Sequence, residues 1–225
     1  MSGRLIVLEG TDGSGKSTQM ELLVQALEQR GTVFRRLRFP RYGNPSCALV
    51  EQYLAGAYGT HPGDVNAYAA STFYAVDRYA SFREDWGADY LSGRLLVSDR
   101  YTTSNAVHQT PKLPPEERVA FLRWLYDLEY DKMGLPRPDF VLYLDMPIWA
   151  TEQMMARRAA QTGVAEDIHE RDTDYLRLCR EVGLQAASLL GWQVVPCAHE
   201  GRVRSAEEIH QAVLQAVLEE EAHCK

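Results

Sequence analysis

Short apolar runs alternate with longer segments of helical periodicity along this chain. The runs have the length and composition of buried strands, and they fall at Leu5 to Leu8, Thr32 to Phe39, Leu95 to Ser98, Phe140 to Leu144 and Trp192 to Val195. After the first run, apolar residues recur with helical spacing at Met20, Leu23, Val24 and Leu27, and Gly31 follows as a helix stop. This alternation predicts a parallel sheet covered by helices.

Two further helices stand out by their apolar stripes. One stripe consists of Val65, Tyr68, Ala69, Thr72, Phe73 and Val76, and the other of Ile209, Val213, Ala216 and Val217. Residues 163–168 interrupt a helical pattern, and no repeat or proline-rich linker divides the chain. We therefore predict a single α/β domain over residues 1–225, with a five-stranded parallel sheet flanked by helices in three layers and a short lid at about 157–172. Ligands are expected at the carboxyl ends of the strands.

Composition narrows the functional classes. The chain of 225 residues is 45% hydrophobic and 24% charged, as in ordinary globular proteins. Its formal net charge of -7 argues against a general nucleic-acid binder, and no apolar stretch is long enough to span a membrane. The first residues run directly into a strand without a signal-peptide pattern, and the four cysteines lack metal-ligand spacing. We expect a cytoplasmic protein with reduced thiols.

The strongest motif follows the first strand and opens the first helix. Residues 10–17 read Gly-Thr-Asp-Gly-Ser-Gly-Lys-Ser and match the GxxxxGK[ST] phosphate-binding loop at every fixed position. The residues expected to cradle the phosphates of a nucleotide are Gly10, Asp12, Gly13, Ser14, Gly15, Lys16, Ser17 and Thr18. Lys16 reaches the β- and γ-phosphates in such loops, Ser17 ligates Mg²⁺, and Thr18 is expected to support the α-phosphate. The motif predicts a nucleotide site and does not by itself define a reaction.

An acidic residue and an arginine leave the third predicted strand. Asp99 is placed where P-loop enzymes hold Mg²⁺, usually through water, and the adjacent Arg100 is a candidate for binding an acceptor phosphate. The alternative is a strand end with an exposed ion pair. The phosphate-binding loop favours the functional interpretation.

Three other groups of residues are candidates for a second substrate. Phe39, Pro40 and Arg41 follow the second predicted strand, although the basic stretch there also suits a charged edge strand. Tyr74 and Arg78 lie one helical turn apart, opposite the apolar stripe, and form a shelf and a hydrogen-bond donor for a planar base. A surface tyrosine with a solvated arginine is the alternative there. Tyr101, Asn105 and His108 share a face of the next helix, which is otherwise an ordinary polar helix face.

In their order along the chain these motifs resemble the thymidylate kinase family of P-loop nucleoside monophosphate kinases, over nearly the whole sequence. The shared segments are the loop with Asp12, Phe39 to Gly43, Tyr74 to Arg78, Asp99 to Tyr101, Ser104-Asn105 and Glu170 to Asp172. The resemblance implies a P-loop kinase fold, transfer of the γ-phosphoryl of ATP to dTMP with Mg²⁺, and a homodimer. It also implies roles at single positions.

By this resemblance, Asp12 binds near the sugar 3′-hydroxyl and the transferring phosphoryl, Tyr42 presses on the sugar, and Arg100 holds the monophosphate. Arg78 would bind the thymine carbonyl, Asn105 would face the base edge, and Ser104 is a further substrate-binding candidate. The sequence departs from the family at Tyr74, where phenylalanine is usual, and at His108, where some relatives carry tyrosine.

A further departure concerns the arginine that relatives direct at the transferring phosphoryl. Residues 11–14 of the loop carry no positive side chain, and residues 161–169 contain no arginine or lysine. Arg157, Arg158 and Arg171 flank that stretch, and we favour Arg158 or Arg171 as candidate catalytic residues beside Lys16, Asp12 and Arg100.

Two alternatives to a thymidylate kinase stay open at this point. One is a P-loop kinase for another nucleoside monophosphate or for a deoxynucleoside, because a missing methyl group is worth only about 1–3 kcal/mol in a pocket. The other is a nucleotide-dependent switch. The sequence contains no NKxD segment, which a guanine-specific GTPase would require.

Overall fold

The computed structural model describes residues 2–162 and 168–223, with side chains except those of 157–162 and 223. The strands of the main sheet are β1 (Arg4–Gly10), β2 (Phe34–Arg38), β3 (Leu95–Asp99), β4 (Phe140–Asp145) and β5 (Gln193–Pro196). A short hairpin follows, formed by β6 (Ala198–His199) and β7 (Arg202–Val203). The helices are α1 (Lys16–Gln29), α2 (Ala48–Leu54), α3 (Ala67–Ser81), α4 (Gly87–Leu91), α5 (Thr102–His108), α6 (Pro115–Tyr126), α7 (Ile148–Thr162), α8 (Thr173–Leu190) and α9 (Ala206–His223). π-Helical turns extend α3 through Phe82–Trp86 and α6 through Asp127–Lys132.

The predicted parallel sheet is confirmed among the described residues, in the order β2-β3-β1-β4-β5. Leu8 of β1 is in register with Asp99 of β3, and Gly10 pairs with Leu144 of β4. The carboxyl ends of the three central strands therefore meet beside the start of α1, at the edge where ligands bind in such folds.

Side chains of β1 alternate between the two faces of the sheet. Ile6 and Leu8 pack with α1 and α9 on one face, whereas Leu5 and Val7 pack with aromatic residues such as Trp86 on the other. The apolar stripes predicted for the first and last helices are buried, with one position, Val24, only partly so. Helices thus cover both faces of the sheet.

The apolar stripe predicted on α3 is not the most buried face of that helix. Tyr68 and Val76 of that stripe are 37% and 47% exposed, whereas Ala70, Ser71 and Arg78 on the other side are buried. Asn105 of α5 donates to the Ser71 carbonyl at 3.2 Å, which shows that the small-residue face is the one packed inside the domain. Close packing against α5 needs small side chains, so the larger apolar ones lie outside.

None of the helices in the described ranges is long and apolar enough to cross a membrane. The predicted lid at about 157–172 falls largely outside the described residues: 163–167 and the side chains of Arg157 and Arg158 are not described.

Candidate active site

The phosphate-binding loop leaves β1 and enters α1 with the backbone that its sequence predicts. Gly13 and Gly15 have φ angles of 72° and 87°, which only glycine adopts without strain. The Lys16 ammonium is buried and donates to the carbonyl oxygens of Gly10 and Thr11, at 2.7 Å each. Burial, together with the nearby Arg100, lowers the pKa of Lys16 to about 8. The side chains of Ser17 and Thr18 are exposed in the first turn of α1.

Arg100 lies between the phosphate-binding loop and α5, and its own backbone has a positive φ of 67°. Its guanidinium forms an ion pair with Asp12, lies 3.5 Å from a carboxylate oxygen of Glu9 and donates to Ser104 Oγ at 3.2 Å. Burial by itself lowers the pKa of Arg100, but the nearby carboxylates together raise it, so that the pKa lies above its ordinary value. Burial alone would raise the pKa of Asp12, but Arg100, together with Lys16 and the nearby histidines, lowers the pKa of that carboxyl below its ordinary value. The cluster holds a permanent positive charge next to the loop.

Glu9 is a residue of this cluster that the sequence analysis missed. Its carboxylate is fully buried and accepts from the Gly10 backbone N–H at 2.9 Å, from Thr103 Oγ1 at 2.8 Å and from Ser104 Oγ at 2.7 Å. Glu9 thereby ties the start of α5 to the phosphate-binding loop. The signal in the sequence was an acidic residue at the end of an otherwise apolar strand, because a buried carboxylate requires partners.

A cleft of about 480 Å³ opens beside Arg100. The lining residues are Asp12, Phe39, Pro40, Tyr42, Leu54, Tyr74, Arg78, Arg100, Tyr101, Ser104, Asn105, His108, Gln109 and His169. Every residue predicted to bind the second substrate lines this cleft except Arg41.

Arg41 has other contacts. Its guanidinium forms an ion pair with Asp77 at 3.1 Å and donates to Ser46 at 2.8 Å, and its backbone N–H also donates to Asp77. Asp77 is buried on α3. Arg41 therefore holds the segment after β2 against α3, next to the lining residues Phe39, Pro40 and Tyr42.

Arg78 is fixed by a buried carboxylate that the sequence analysis also missed. Nε and Nη2 of Arg78 donate to the two carboxylate oxygens of Glu129 at 2.6 and 2.5 Å, and Thr102 Oγ1 donates to the same carboxylate at 2.7 Å. The side chains of Arg78 and Glu129 are 1% and 0% exposed. Glu129 outweighs the burial that disfavours the charge, so the pKa of Arg78 lies above its ordinary value. Nη1, 3.4 Å from the Tyr101 carbonyl, is the nitrogen without a Glu129 contact.

Asn105 presents an unpartnered acceptor in the same cleft. Its amide nitrogen donates to α3, whereas its Oδ1 is buried and has no hydrogen-bond partner among the described residues. A buried amide oxygen without a partner costs free energy unless a ligand supplies a donor.

Two imidazoles complete the cleft. Arg100 Nη1 donates to His108 Nε2 across 3.1 Å, and His169 stacks on His108 with ring centroids 5.7 Å apart. Burial lowers the pKa of His169 to about 3 and that of His108 well below its ordinary value. Both rings are therefore neutral near pH 7. His169 lies 61 positions beyond His108 in the sequence, so no local spacing connects the two rings.

The predicted metal ligands lie at the loop and at the end of β3. Asp99 is buried, with one carboxylate oxygen 3.9 Å from Arg38 Nε, and Ser17 is at the start of α1. In the described part of the chain, no group of three acidic, histidine or cysteine residues is arranged to hold a metal ion by itself. One carboxylate and one hydroxyl still fit Mg²⁺, which takes most of its ligands from water and substrate phosphates.

Arg171, the described candidate for the lid arginine, is exposed on the turn before α8 and is not among the cleft residues. The side chain of Arg158, the other candidate, lies outside the described residues.

The phosphate-binding loop borders a cleft whose lining includes Arg100, Arg78 and the planar ring of Tyr74. This combination defines a P-loop phosphotransferase for a small phosphorylated acceptor. The thymidylate kinase family model matches residues 8–209. The chain belongs to the thymidylate kinase family, whose members are ATP-dependent phosphotransferases.

Individual relatives agree with this assignment. The thymidylate kinase of Mycobacterium tuberculosis is 31% identical over 190 residues, which cover 84% of this chain and 87% of the relative. That of Danio rerio is 28% identical over 215 residues, covering 94% and 88% of the two chains. The solved structure of thymidylate kinase from Candida albicans has a TM-score of 0.70 at 19% identity, over 99% of this chain and 94% of that one. At this identity the structural likeness shows the fold alone.

Proposed function

We propose that this protein transfers the γ-phosphoryl of ATP to dTMP and releases dTDP and ADP. The observation that carries the proposal is the position of Arg100. Its guanidinium is paired with Asp12 of the phosphate-binding loop and also lines the cleft that contains Tyr74 and Arg78. A monophosphate bound to Arg100 would therefore lie next to the terminal phosphate of a nucleotide in the loop, as in-line transfer requires.

The base contacts follow from the hydrogen-bonding capacity of the cleft. Nη1 of Arg78 is a donor for a base carbonyl, and the unpartnered Oδ1 of Asn105 is an acceptor for a ring N–H. Thymine and uracil present such a carbonyl and a ring N–H side by side, whereas cytosine presents an amino group and an unprotonated nitrogen. Tyr74 supplies the stacking surface, and Tyr42 borders the sugar.

In the transfer step, Lys16 and Arg100 neutralise the charge that develops on the transferring phosphoryl group. Asp12 orients Arg100 and binds near the sugar. Ser17 and, through water, Asp99 would hold Mg²⁺, which would supply positive charge to the phosphates when bound. The backbone N–H groups of residues 13–18 cradle the phosphates of ATP.

A lid arginine from Arg158 or Arg171 would complete the charge neutralisation. Support for this part of the proposal comes from the loop, where residues 11–14 lack a positive side chain. Replacing each arginine by methionine tests it. Replacement of the arginine that acts on the phosphoryl group should lower kcat at least tenfold, whereas replacement of the other should leave kcat within about twofold of wild type.

We further propose a cytoplasmic homodimer. The exposed apolar face of α3, with Tyr68, Val76 and Tyr79 exposed at 37%, 47% and 40%, supports a helical interface beside the sheet. Light scattering on Val76→Glu, compared with wild type, tests it: the variant should be monomeric if α3 forms the interface.

The function is tested by measuring ADP release with Mg²⁺-ATP against dTMP, dUMP, dCMP, dAMP, dGMP and free thymidine. We expect the highest kcat/KM with dTMP, a diphosphate product and little hydrolysis without acceptor. Lys16→Met, purified identically, controls for kinases of the expression host. Preference for another acceptor would refute dTMP as substrate, and hydrolysis independent of any acceptor would refute the assignment of the cleft.

A further inference from the structure

A hydrogen-bonded chain behind the cleft connects four segments that are distant in sequence. Lys112 Nζ, on the turn after α5, donates to Tyr53 Oη of α2 and to the carbonyl of Val65, at 2.8 Å each. Tyr53 Oη in turn lies 2.7 Å from Nε2 of His169, on the turn before α8. Tyr53 is 1% exposed, so these contacts are shielded from bulk water.

Tyr53 does not line the cleft, but it contacts two residues that do. Its ring packs edge-on against Tyr74, with centroids 6.4 Å apart and planes at 87°, and edge-on against His169 at 5.5 Å. The backbone N–H of Ile168 also bonds to the Leu54 carbonyl, at 3.3 Å, which fixes the residue before His169 on α2. Tyr53 thus supports the base shelf and the second imidazole together.

The partners determine where the protons lie. Burial lowers the pKa of Lys112 to about 7, so its amine is mostly protonated at pH 6 and can only donate. Tyr53 Oη accepts from Lys112, and because His169 Nε2 at 2.7 Å is much nearer than the Pro62 carbonyl at 3.5 Å, we assign the hydroxyl proton to the contact with His169. His169, neutral at this pH, therefore carries its proton on Nδ1.

The same reasoning applies to His108. Its Nε2 faces Nη1 of Arg100, which can only donate, so the ring accepts there and is protonated on Nδ1. Because His169 stacks on His108 with an angle of 11° between the ring planes, the orientation of one ring constrains the other. The chain of contacts thus runs from Lys112 through Tyr53 and the two imidazoles to Arg100.

We propose that Tyr53, held by Lys112, is a positioning residue for the acceptor site: it holds the His108–His169 pair as neutral hydrogen-bond acceptors and so orients Arg100 toward the phosphate of the acceptor nucleotide. The proposal deepens the proposed function and rests on it for the identity of the acceptor. Neither Tyr53 nor Lys112 is among the residues that line the cleft, so neither touches the reacting groups.

Tyr53→Phe is the direct test, because it keeps the ring and removes the hydroxyl on which both hydrogen bonds depend. Losing this link should lower kcat/KM for dTMP about tenfold, with the KM for ATP unchanged within about twofold. Tyr58→Phe is the matched control. Like Tyr53, Tyr58 packs against an aromatic ring of α3, in this case Phe73, but its hydroxyl donates to Gln52 at the surface.

A double-mutant cycle separates positioning from general destabilisation. If Lys112 acts through Tyr53, removing Lys112 should have no further effect once the Tyr53 hydroxyl is gone. The double variant with Lys112→Met and Tyr53→Phe should then have the same kcat/KM for dTMP as Tyr53→Phe alone. The proposal would be overturned if the losses in kcat/KM for dTMP were additive. It would also be overturned if the kcat/KM of Tyr53→Phe lay within twofold of that of Tyr58→Phe. Lys112→Met alone carries the test if Tyr53→Phe does not fold.

A readout independent of turnover is the ¹⁵N shift pattern of the histidines at pH 6, assigned with His169→Gln. The proposal requires neutral Nδ1–H tautomers for His108 and His169 in the wild-type protein, and a changed His169 signal in Tyr53→Phe. An Nε2–H or doubly protonated His169 would refute it. If the wild type phosphorylates no nucleotide, the proposed function fails, whereas the tautomers still decide whether the chain of contacts exists.

Discussion

The buried pair of Arg78 and Glu129 allows a quantitative prediction. Glu129→Gln keeps the shape of the side chain but removes its charge, so Arg78 is left as a buried cation whose carboxylate partner is lost. The two side chains are 1% and 0% exposed and joined by two hydrogen bonds of 2.6 and 2.5 Å, which leaves water no access to compensate. Removing one partner of such a pair costs about 3–5 kcal/mol.

This free energy converts into a measurable shift of the unfolding transition. For a chain of this size a loss of 1 kcal/mol lowers Tm by about 2 °C, so Glu129→Gln should lower Tm by about 6–10 °C. Circular dichroism during thermal unfolding, with urea titration at 25 °C as a second probe, measures it. The KM for dTMP should rise as well, because Glu129 fixes the direction of Arg78 Nη1.

Two controls make the prediction sharp. Asp131→Asn removes an acidic group from the same π-helical turn, but the pair of Asp131 with Arg137 is 53% and 54% exposed, so it should cost at most about 1 kcal/mol. Arg78→Met combined with Glu129→Gln removes the uncompensated charge and should be more stable than Glu129→Gln alone. The reasoning is refuted if Glu129→Gln is no less stable than Asp131→Asn, or if the double variant loses further stability.

The remaining predictions concern the phosphate-binding loop and the cleft. Gly13→Ala would place a Cβ 2.8 Å from Thr151 Cγ2 at a φ of 72°, so it should weaken binding of an ATP analogue at least tenfold by calorimetry, and unchanged affinity would contradict the loop geometry. Lys16→Met should reduce kcat by about 10²–10³-fold in the ADP-release assay, and a smaller loss would mean that its charge is not used in the transition state. Because the pKa of Lys16 is lowered to about 8 and the protonated form binds phosphate, kcat/KM for ATP should fall as pH rises through about 8, whereas a flat profile to pH 10 would count against it. Asn105→Leu should raise the KM for dTMP about tenfold and leave the KM for ATP within twofold, and equal effects on both would indicate a structural role.

The orientation of α3 shows a limit of periodicity. Its apolar stripe includes Tyr68 and Val76, which are exposed, whereas the face with Ala70 and Ser71 is buried. An amphipathic pattern indicates that one face of a helix differs from the other, but it does not identify what covers each face. The sequence placed Tyr74 and Arg78 one helical turn apart and opposite that stripe, and both line the cleft.

Arg41 shows a different limit. Its position after β2 indicated the correct neighbourhood, because Phe39, Pro40 and Tyr42 beside it line the cleft. The direction of the guanidinium depends on Asp77, which lies 36 residues further along the chain on α3. Proximity in sequence therefore predicted the segment but not the contacts of its longest side chain.

The sequence by itself determined the sheet, the phosphate-binding loop and the family. These features rest on contiguous residues: strand runs have their own composition, and a glycine-rich turn binds phosphate through its own backbone. Only the tertiary structure decided which side chains support the cleft. Glu129 lies 51 residues from Arg78, and His169 lies 116 residues from Tyr53. A buried charge or a neutral imidazole acquires its partner when distant segments pack together, and no local pattern along the chain encodes that meeting.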